Sequence, residues 1–173
     1  MTRFHSALVI LVAAVCMLAL PLAGRADDND GKRHLRADLN SYNEVPSLST
    51  NGEGRLRLEI NHNDTAIDFR LSYANMTGNP LVAHIHLGQR HTVGGVIIFF
   101  CGGGGKPPCP PQPATITGTL DASGVVGPAG QGIATGEFDE LIRAIRAGAT
   151  YANVHTPTFP GGEIRGQIRR GND

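Results

Sequence analysis

Two short segments of the chain place three histidines in a pattern that suits a metal ion. His84 and His86 are separated by one residue in Val-Ala-His-Ile-His-Leu, where apolar and polar residues alternate with a period of two. This period is typical of a half-buried β-strand, on which alternate side chains lie on the same face. His155 ends a second alternating segment that begins at Tyr151. If the two strands are neighbours, the three imidazoles can bind one copper or zinc ion, because both metals accept imidazole nitrogen.

Further polar residues leave a second interpretation open. His91 lies in the loop that follows the first strand, and we predict it as an optional fourth ligand. Alternatively, the histidines belong to a structural network of hydrogen-bonded side chains. The other residues predicted for that network are Glu44, Asn153, Glu163 and Arg165. The sequence does not decide between the metal site and the network, because either one gives buried polar groups their partners.

The N-terminus predicts an exported protein. A basic start that includes Arg3 leads into an uninterrupted apolar run, which is followed by small residues. This order is typical of a secretory signal peptide, which we place at residues 1–26, and the apolar run is too short for a membrane span. We therefore expect a periplasmic or secreted protein with no membrane span in the mature chain. The mature chain would consist of a flexible leader at 27–33 and one domain at 34–170.

Composition and charge exclude two classes of partner. The chain has 15 basic and 15 acidic residues, and removal of the signal peptide takes away Arg3 and Arg25, which leaves a net charge of −2. No basic block stands out along the chain, and tryptophan is absent. We therefore expect neither nucleic acid nor an anionic membrane surface as a partner. The remaining candidates are a metal ion and an unidentified extracytoplasmic protein.

The predicted mature chain contains two cysteines, Cys101 and Cys109. They enclose a segment of glycines and prolines that has no means of packing on its own. Since exported proteins fold in an oxidising compartment, we predict a disulfide bond between the two cysteines. A zinc site built on this pair is not favoured, because no histidine lies close to it in the sequence.

Short segments separated by glycine, proline and asparagine predict an all-β fold. Eight such strand segments are predicted, at 35–39, 54–61, 65–73, 81–87, 95–100, 115–120, 150–155 and 163–169. Residues 61–64 predict a hairpin turn, since asparagine and aspartate tolerate the left-handed conformation. Eight short strands favour an antiparallel β-sandwich with an immunoglobulin-like or superoxide-dismutase-like Greek key.

One segment, at 136–148, has a helical period. Its apolar residues recur at the spacing of one helix face and are Phe138, Leu141, Ile142 and Ile145. Thr135 is predicted as the N-cap, and Gly148 as the residue that follows the C-terminal end. We expect this short helix to cover one open end or edge of the sandwich.

Four stretches of the sequence resemble the CHRD family, whose domain was first described in chordin and is widespread in exported bacterial proteins. They are Asn43-Glu44-Val45-Pro46, then Ala83-His84-Ile85-His86 with Gly88, Gly94 and Gly95, then the Cys101–Cys109 loop, and finally Tyr151-Ala152-Asn153-Val154-His155-Thr156 continued through residues 161–168. The resemblance implies a single β-sandwich domain over 34–170. In chordin these domains belong to an extracellular antagonist of growth factors, a role tied to the other modules of that protein.

Three functions are compatible with these observations. The first is an exported, non-catalytic protein that binds one copper or zinc ion through His84, His86 and His155. The second is an extracellular adhesion or protein-interaction module in which the same residues are structural. The third, a metal-dependent oxidoreductase, is the least favoured, because a dinuclear copper–zinc dismutase site uses more clustered histidines than this spacing provides. No serine elbow is present either, so we lean toward a protein without catalytic activity.

Overall fold

The computed structural model describes residues 33–171. The predicted signal peptide at 1–26 and the leader at 27–33, apart from Arg33, lie outside the described residues. Between residues 33 and 171, no helix is both long enough and apolar enough to cross a membrane.

The described residues form nine strands that pair in antiparallel fashion within one sheet. In chain order they are β1 (His34–Asn40), β2 (Glu53–Ile60), β3 (Ala66–Ala74), β4 (Val82–Leu87), β5 (Val96–Cys101), β6 (Ala114–Asp121), β7 (Thr150–His155), β8 (Ile164–Gln167) and β9 (Arg169–Arg170). Across the sheet the order is β5–β4–β7–β8–β1–β2–β3–β6, and β9 pairs with β1. All eight predicted segments are strands, and the last one divides into β8 and β9.

The sheet curves until its two edges approach each other, which makes the fold barrel-like. Ile98 in the edge strand β5 forms an antiparallel bridge with Val125, which follows the other edge strand, β6. Across the interior, the ring centroids of Phe69 in β3 and Phe100 in β5 lie 4.8 Å apart. The predicted all-β antiparallel fold with one helix is confirmed, whereas the two-sheet Greek-key sandwich is corrected to one nearly closed sheet. Alternation shows which face of a strand is buried, but it does not show whether the strands pair into one sheet or two.

Strands β2 and β4 differ in what covers their outer faces. In β2, Leu56 and Leu58 are buried in the core and Arg57 between them is exposed. In β4, Ala83 belongs to the same core, yet His84 beside it is also buried. Both faces of β4 are therefore covered, and the same holds for β7, in which every residue is buried. This covered outer face is where the predicted site residues lie.

The helix α1 (Phe138–Arg146) lies directly before β7 in the chain. Its buried residues are the predicted ones, Phe138, Leu141, Ile142 and Ile145. Its N-cap is Glu137 and not the predicted Thr135, whose hydroxyl instead donates to the carbonyl oxygen of Val126 at 3.3 Å. Gly148 follows the helix with φ +69°, as predicted. Three single 3₁₀ turns also occur among the described residues, at Ser41–Asn43, Ala122–Gly124 and Ala129–Gln131.

The predicted disulfide between Cys101 and Cys109 is confirmed, with the two Cα atoms 4.9 Å apart. It closes the glycine-rich loop that follows β5. This loop packs on the ring of Phe99 so closely that a Cβ on Gly103 would come within 2.5 Å of a ring carbon. The Phe99 ring in turn lies 5.2 Å from that of His84, between centroids. The disulfide loop therefore supports the covered outer face of β4.

Candidate metal centre

Three histidine side chains meet on the outer face of β4 and β7. The two strands pair so that His84 lies opposite Asn153, and Val82 lies opposite His155. Since side chains alternate between faces along each strand, His84, His86 and His155 share one face. One ligand atom of each histidine lies within 4.8 Å of those of the other two. The three residues are only 4–8% exposed, so the cluster is almost closed to solvent.

Two of the three rings have a tautomer fixed by the backbone. Nδ1 of His86 lies 2.8 Å from the carbonyl oxygen of Gly94, and Nδ1 of His155 lies 2.9 Å from that of Pro160. A carbonyl oxygen can only accept, so Nδ1 of each ring carries the proton and donates it. A neutral ring then keeps its lone pair on Nε2. Hydrogen bonds of this kind orient the imidazole ligands of metal sites.

Three of the four remaining ring nitrogens are buried without a hydrogen-bond partner. Among the described residues, Nδ1 of His84, Nε2 of His86 and Nε2 of His155 are all buried and unpartnered. One such atom typically costs about 1–3 kcal/mol, and native proteins contain few of them. A zinc ion about 2.0–2.1 Å from each nitrogen would satisfy all three at once. The cluster therefore has the donor atoms, the spacing and the unmet bonding capacity of a metal site.

Burial keeps these histidines neutral. Desolvation, and then repulsion from a charged His86 or His155, lowers the pKa of His84 to about 2. Desolvation also lowers the pKa of His86 to about 4, although its hydrogen bond to Gly94 opposes the change. The pKa of His155 is lowered by the same cause. At neutral pH all three rings therefore offer lone pairs, which is the form that binds metal.

Tyr151 and Arg165 form a layer that supports His86. The Tyr151 ring stacks on the His86 ring with centroids 4.6 Å apart and an angle of 8° between planes. Cζ of Arg165 lies 3.4 Å from the Tyr151 centroid. Nη2 of Arg165 donates to the carbonyl oxygens of Gln89 at 3.0 Å and Thr92 at 2.7 Å. The layer thus holds the loop after β4 over the outer face.

Glu44 and Asn153 form a polar edge of the same face. A Cβ added to Gly162 would lie 2.7 Å from both Oε1 of Glu44 and Oδ1 of Asn153. Both oxygens are buried and have no hydrogen-bond partner among the described residues. Desolvation raises the pKa of Glu44 to about 7, although the charge of Arg165 opposes it. Three of the four residues predicted for a polar network therefore lie beside the histidines.

Glu163, the fourth of those residues, lies in a separate cluster. Its carboxylate accepts from the backbone N–H of Thr77 at 2.8 Å, from the Thr77 hydroxyl at 2.8 Å and from the Thr156 hydroxyl at 2.6 Å. We expected Glu163 to share a strand face with Arg165. Strand β8 begins only at Ile164, so Glu163 lies just outside the strand and its carboxylate is held by Thr77 and Thr156 instead.

The structure separates His91 from the cluster and adds Tyr151. His91 is exposed in its loop with φ +64°, and the group of possible ligands among the described residues consists of the other three histidines. Tyr151 was missed as a site residue, although a signal for it was present. It precedes Asn153 and His155 at intervals of two residues, and so shares their strand face.

A comparison with protein families bears on the whole fold. The CHRD domain matches residues 35–168. The chain belongs to the CHRD family. No curated protein and no solved structure matches the chain. The range matched to the CHRD domain contains β2 to β8, the disulfide and all three clustered histidines, so the candidate centre is part of the domain itself.

Proposed function

We propose that this CHRD domain binds one copper or zinc ion through Nδ1 of His84, Nε2 of His86 and Nε2 of His155. The observation that carries the proposal is the set of three buried nitrogens without partners. A structural network would pair these atoms with donors. Neutral imidazoles without a thiolate or a clustered carboxylate suit zinc(II) and both oxidation states of copper.

Three protein ligands leave one position of a tetrahedral site for a small ligand. Because the histidines are 4–8% exposed, only water, hydroxide or a small anion has room to reach that position. The imidazoles are neutral, so the metal would keep its full positive charge. The buried guanidinium of Arg165 on the same face adds a further positive charge. Both charges favour an anionic fourth ligand.

We further propose that the protein acts outside the cytoplasm, in the periplasm or as a secreted protein. The disulfide supports this location, since such bonds persist in oxidising compartments. The signal-peptide pattern at residues 1–26 supports it from the sequence. N-terminal sequencing of the exported protein should begin at Asp27, and export of an uncleaved chain would reject the cleavage site.

Metal analysis of the purified, exported protein tests the proposed site. We expect one copper or zinc ion per wild-type chain and none in the triple variant His84→Ala/His86→Ala/His155→Ala. Electron paramagnetic resonance of the copper(II)-loaded protein should show splitting from nitrogen ligands, which the triple variant should lack. If both proteins carry the same trace of metal, the proposal fails.

A second candidate function is an extracellular protein-interaction module. Tyr42 and Val93 are large apolar side chains that are 68% and 72% exposed. Their segments meet at Arg165: the Asn43 side chain donates to the Arg165 carbonyl oxygen at 3.1 Å, and Arg165 donates to Thr92. Both apolar side chains thus lie in segments attached to the covered face. Replacing Tyr42 and Val93 by serine should weaken adhesion to a partner and leave metal content unchanged.

A further inference from the structure

Two acceptor oxygens beside the candidate centre have no donor. Oε1 of Glu44 and Oδ1 of Asn153 are buried and lack a hydrogen-bond partner between residues 33 and 171. The residues that carry them are 6% and 4% exposed. An ionised carboxylate and an amide oxygen can only accept a hydrogen bond. Since a Cβ on Gly162 would lie 2.7 Å from each oxygen, the two are neighbours and can share one donor molecule from outside the chain.

The strand register places this pair of oxygens at the three histidines. Asn153 lies directly opposite His84 in β4 and two residues before His155 in β7. Opposite residues on antiparallel strands have Cβ atoms about 4.5–5.5 Å apart, and residues two apart on one strand are separated by about 7 Å. Asn153 is therefore flanked by two of the three proposed ligands. On its other side it lies opposite Arg165, whose charge acts on the Glu44 carboxyl group.

The two oxygens bear on the fourth position of the proposed metal site. Three histidines leave that position open in a tetrahedral centre, and the positive charge around it favours an anion. Charge alone would accept any small anion, including azide and chloride. These anions carry no hydrogen, so their lone pairs would meet the lone pairs of the two buried oxygens, at a cost that no hydrogen bond offsets. Water or hydroxide instead brings O–H groups, and a metal ion makes bound water more acidic and so a stronger donor.

We propose that Oε1 of Glu44 and Oδ1 of Asn153 accept hydrogen bonds from the fourth ligand and thereby select water or hydroxide over anions that carry no hydrogen. This selection rests on the proposed metal site and specifies which small ligand completes it. The two protons of a water molecule match the two acceptors, and hydroxide still satisfies one of them. Arg165 does not provide this selection, because a positive charge attracts both kinds of anion.

Azide titration of the copper(II)-loaded, exported protein tests the selection, because azide bound to copper(II) gives a charge-transfer absorption band. The measurement is made at pH 8, above the pKa of about 7 that burial gives Glu44, so that the carboxylate is ionised. Glu44→Gln removes the negative charge and presents an N–H group, so it should bind azide about tenfold more tightly than the wild-type protein. Asn153→Leu removes the amide without changing the charge and should bind azide several-fold more tightly.

Glu163→Gln provides a matched control. It removes the same charge from a buried carboxylate that Thr77 and Thr156 already hold, and it should bind azide within about twofold of the wild-type protein. A second measurement does not depend on azide. Electron–nuclear double resonance of the wild-type copper(II) protein should show strongly coupled protons of a bound water molecule, which disappear in D₂O.

The outcomes separate this selection from the metal site itself. A wild-type protein that binds no copper(II) overturns both proposals. Full copper loading with equal azide affinities of the wild-type and Glu44→Gln proteins overturns the selection alone. The selection is also overturned if Glu163→Gln gains as much azide affinity as Glu44→Gln, or if the copper(II) centre has no strongly coupled exchangeable protons.

Discussion

Two buried polar clusters lie side by side in this domain, and they differ in whether their polar atoms have hydrogen-bond partners. The Glu163 cluster, made of Glu163, Thr77 and Thr156, directs three donors at one fully buried carboxylate. The histidine cluster leaves one nitrogen of each ring without a partner. His155 and Thr156 are adjacent in the chain, so the same short segment contributes one residue to each cluster. We call the Glu163 cluster closed, because its polar atoms are paired within the chain, as expected of a cluster that only stabilises the fold. We call the histidine cluster open, because its unpaired buried nitrogens point to a ligand from outside the chain.

The largest effect on stability is expected from the closed cluster. Glu163→Ala leaves an N–H and two hydroxyl groups of Thr77 and Thr156 without their acceptor, which should lower the free energy of unfolding by roughly 3–5 kcal/mol. Urea denaturation measures this loss. Glu163→Gln keeps an accepting oxygen and should lose less, with metal affinity within about twofold of wild type. A tenfold loss of metal affinity in Glu163→Gln would show that the two clusters are not independent.

The open cluster should make the metal-free protein sensitive to acid. His86 has a pKa of about 4 when folded and 6.5 when unfolded, so the unfolded state binds more protons between these values. Stability should therefore fall as the pH falls from 6.5 toward 4, by about 3 kcal/mol for this residue alone. His84, with a still lower pKa, acts in the same direction. Denaturation midpoints measured over this range give the profile.

Glu44 acts in the opposite direction and provides a control. Its pKa is about 7 when folded against an ordinary value of 4.5, so its protonation stabilises the fold as the pH falls through that range. Glu44→Gln removes this compensation and should steepen the loss of stability in acid. The triple variant His84→Ala/His86→Ala/His155→Ala should flatten it. If the triple variant and the wild-type protein show the same dependence of stability on pH, the acid sensitivity does not come from these histidines.

Loss of the disulfide should affect stability more than it affects the metal site. Removing the bond between Cys101 and Cys109, which closes a short loop, should cost about 2.6 kcal/mol by the loop-entropy estimate. No residue of the loop is a candidate ligand, and the loop supports His84 through the Phe99 ring and the start of β4, so metal affinity in the Cys101→Ala/Cys109→Ala variant should fall by less than about tenfold. Thermal denaturation and metal titration on the same variant measure both quantities. Abolished metal binding would mean that the loop is part of the site.

The smallest effect on stability is expected from Tyr151→Phe. Tyr151→Phe removes only the hydroxyl that accepts from the Gly94 N–H at 3.3 Å and should cost about 0.5–1.5 kcal/mol. Tyr151→Leu also removes the ring that stacks on His86, and should weaken metal binding by about tenfold, while Tyr151→Phe leaves it unchanged. If the two variants bind metal equally tightly, the stacked Tyr151 ring does not support the metal site.

The strands and the histidine positions could be predicted because they depend on a local period. Alternation along β4 places His84 and His86 on one face whatever the overall topology. His155 joins them because β7 pairs with β4 so that Val82 lies opposite His155. The closure of the sheet could not be predicted in this way, since it depends on how β5 and β6 meet across the barrel. The tautomers of His86 and His155 could not be predicted either. The carbonyl groups that fix them belong to Gly94 and Pro160, in loops whose paths the sequence does not reveal.

Two groups of residues have neighbours in the structure that the sequence pattern did not predict. Glu163 was predicted beside Arg165, whereas its carboxylate accepts hydrogen bonds from Thr77 and Thr156, which lie outside the predicted strands. Arg36, Arg57 and Arg70 lie in three different strands, and only the strand register places them opposite one another. In both cases contacts between segments far apart in the sequence decide which side chains become neighbours. Residue types alone do not contain that information.

Calorimetric titration of the metal-free exported protein with zinc(II) and copper(II) tests the central claim most directly. We predict that one ion binds per chain and that His84→Ala, His86→Ala and His155→Ala each remove most of the binding, because a site with three protein ligands cannot lose one of them. Glu163→Gln, whose change lies in the closed cluster, should bind as the wild-type protein does. A wild-type protein that binds neither ion more tightly than the triple histidine variant would contradict the account.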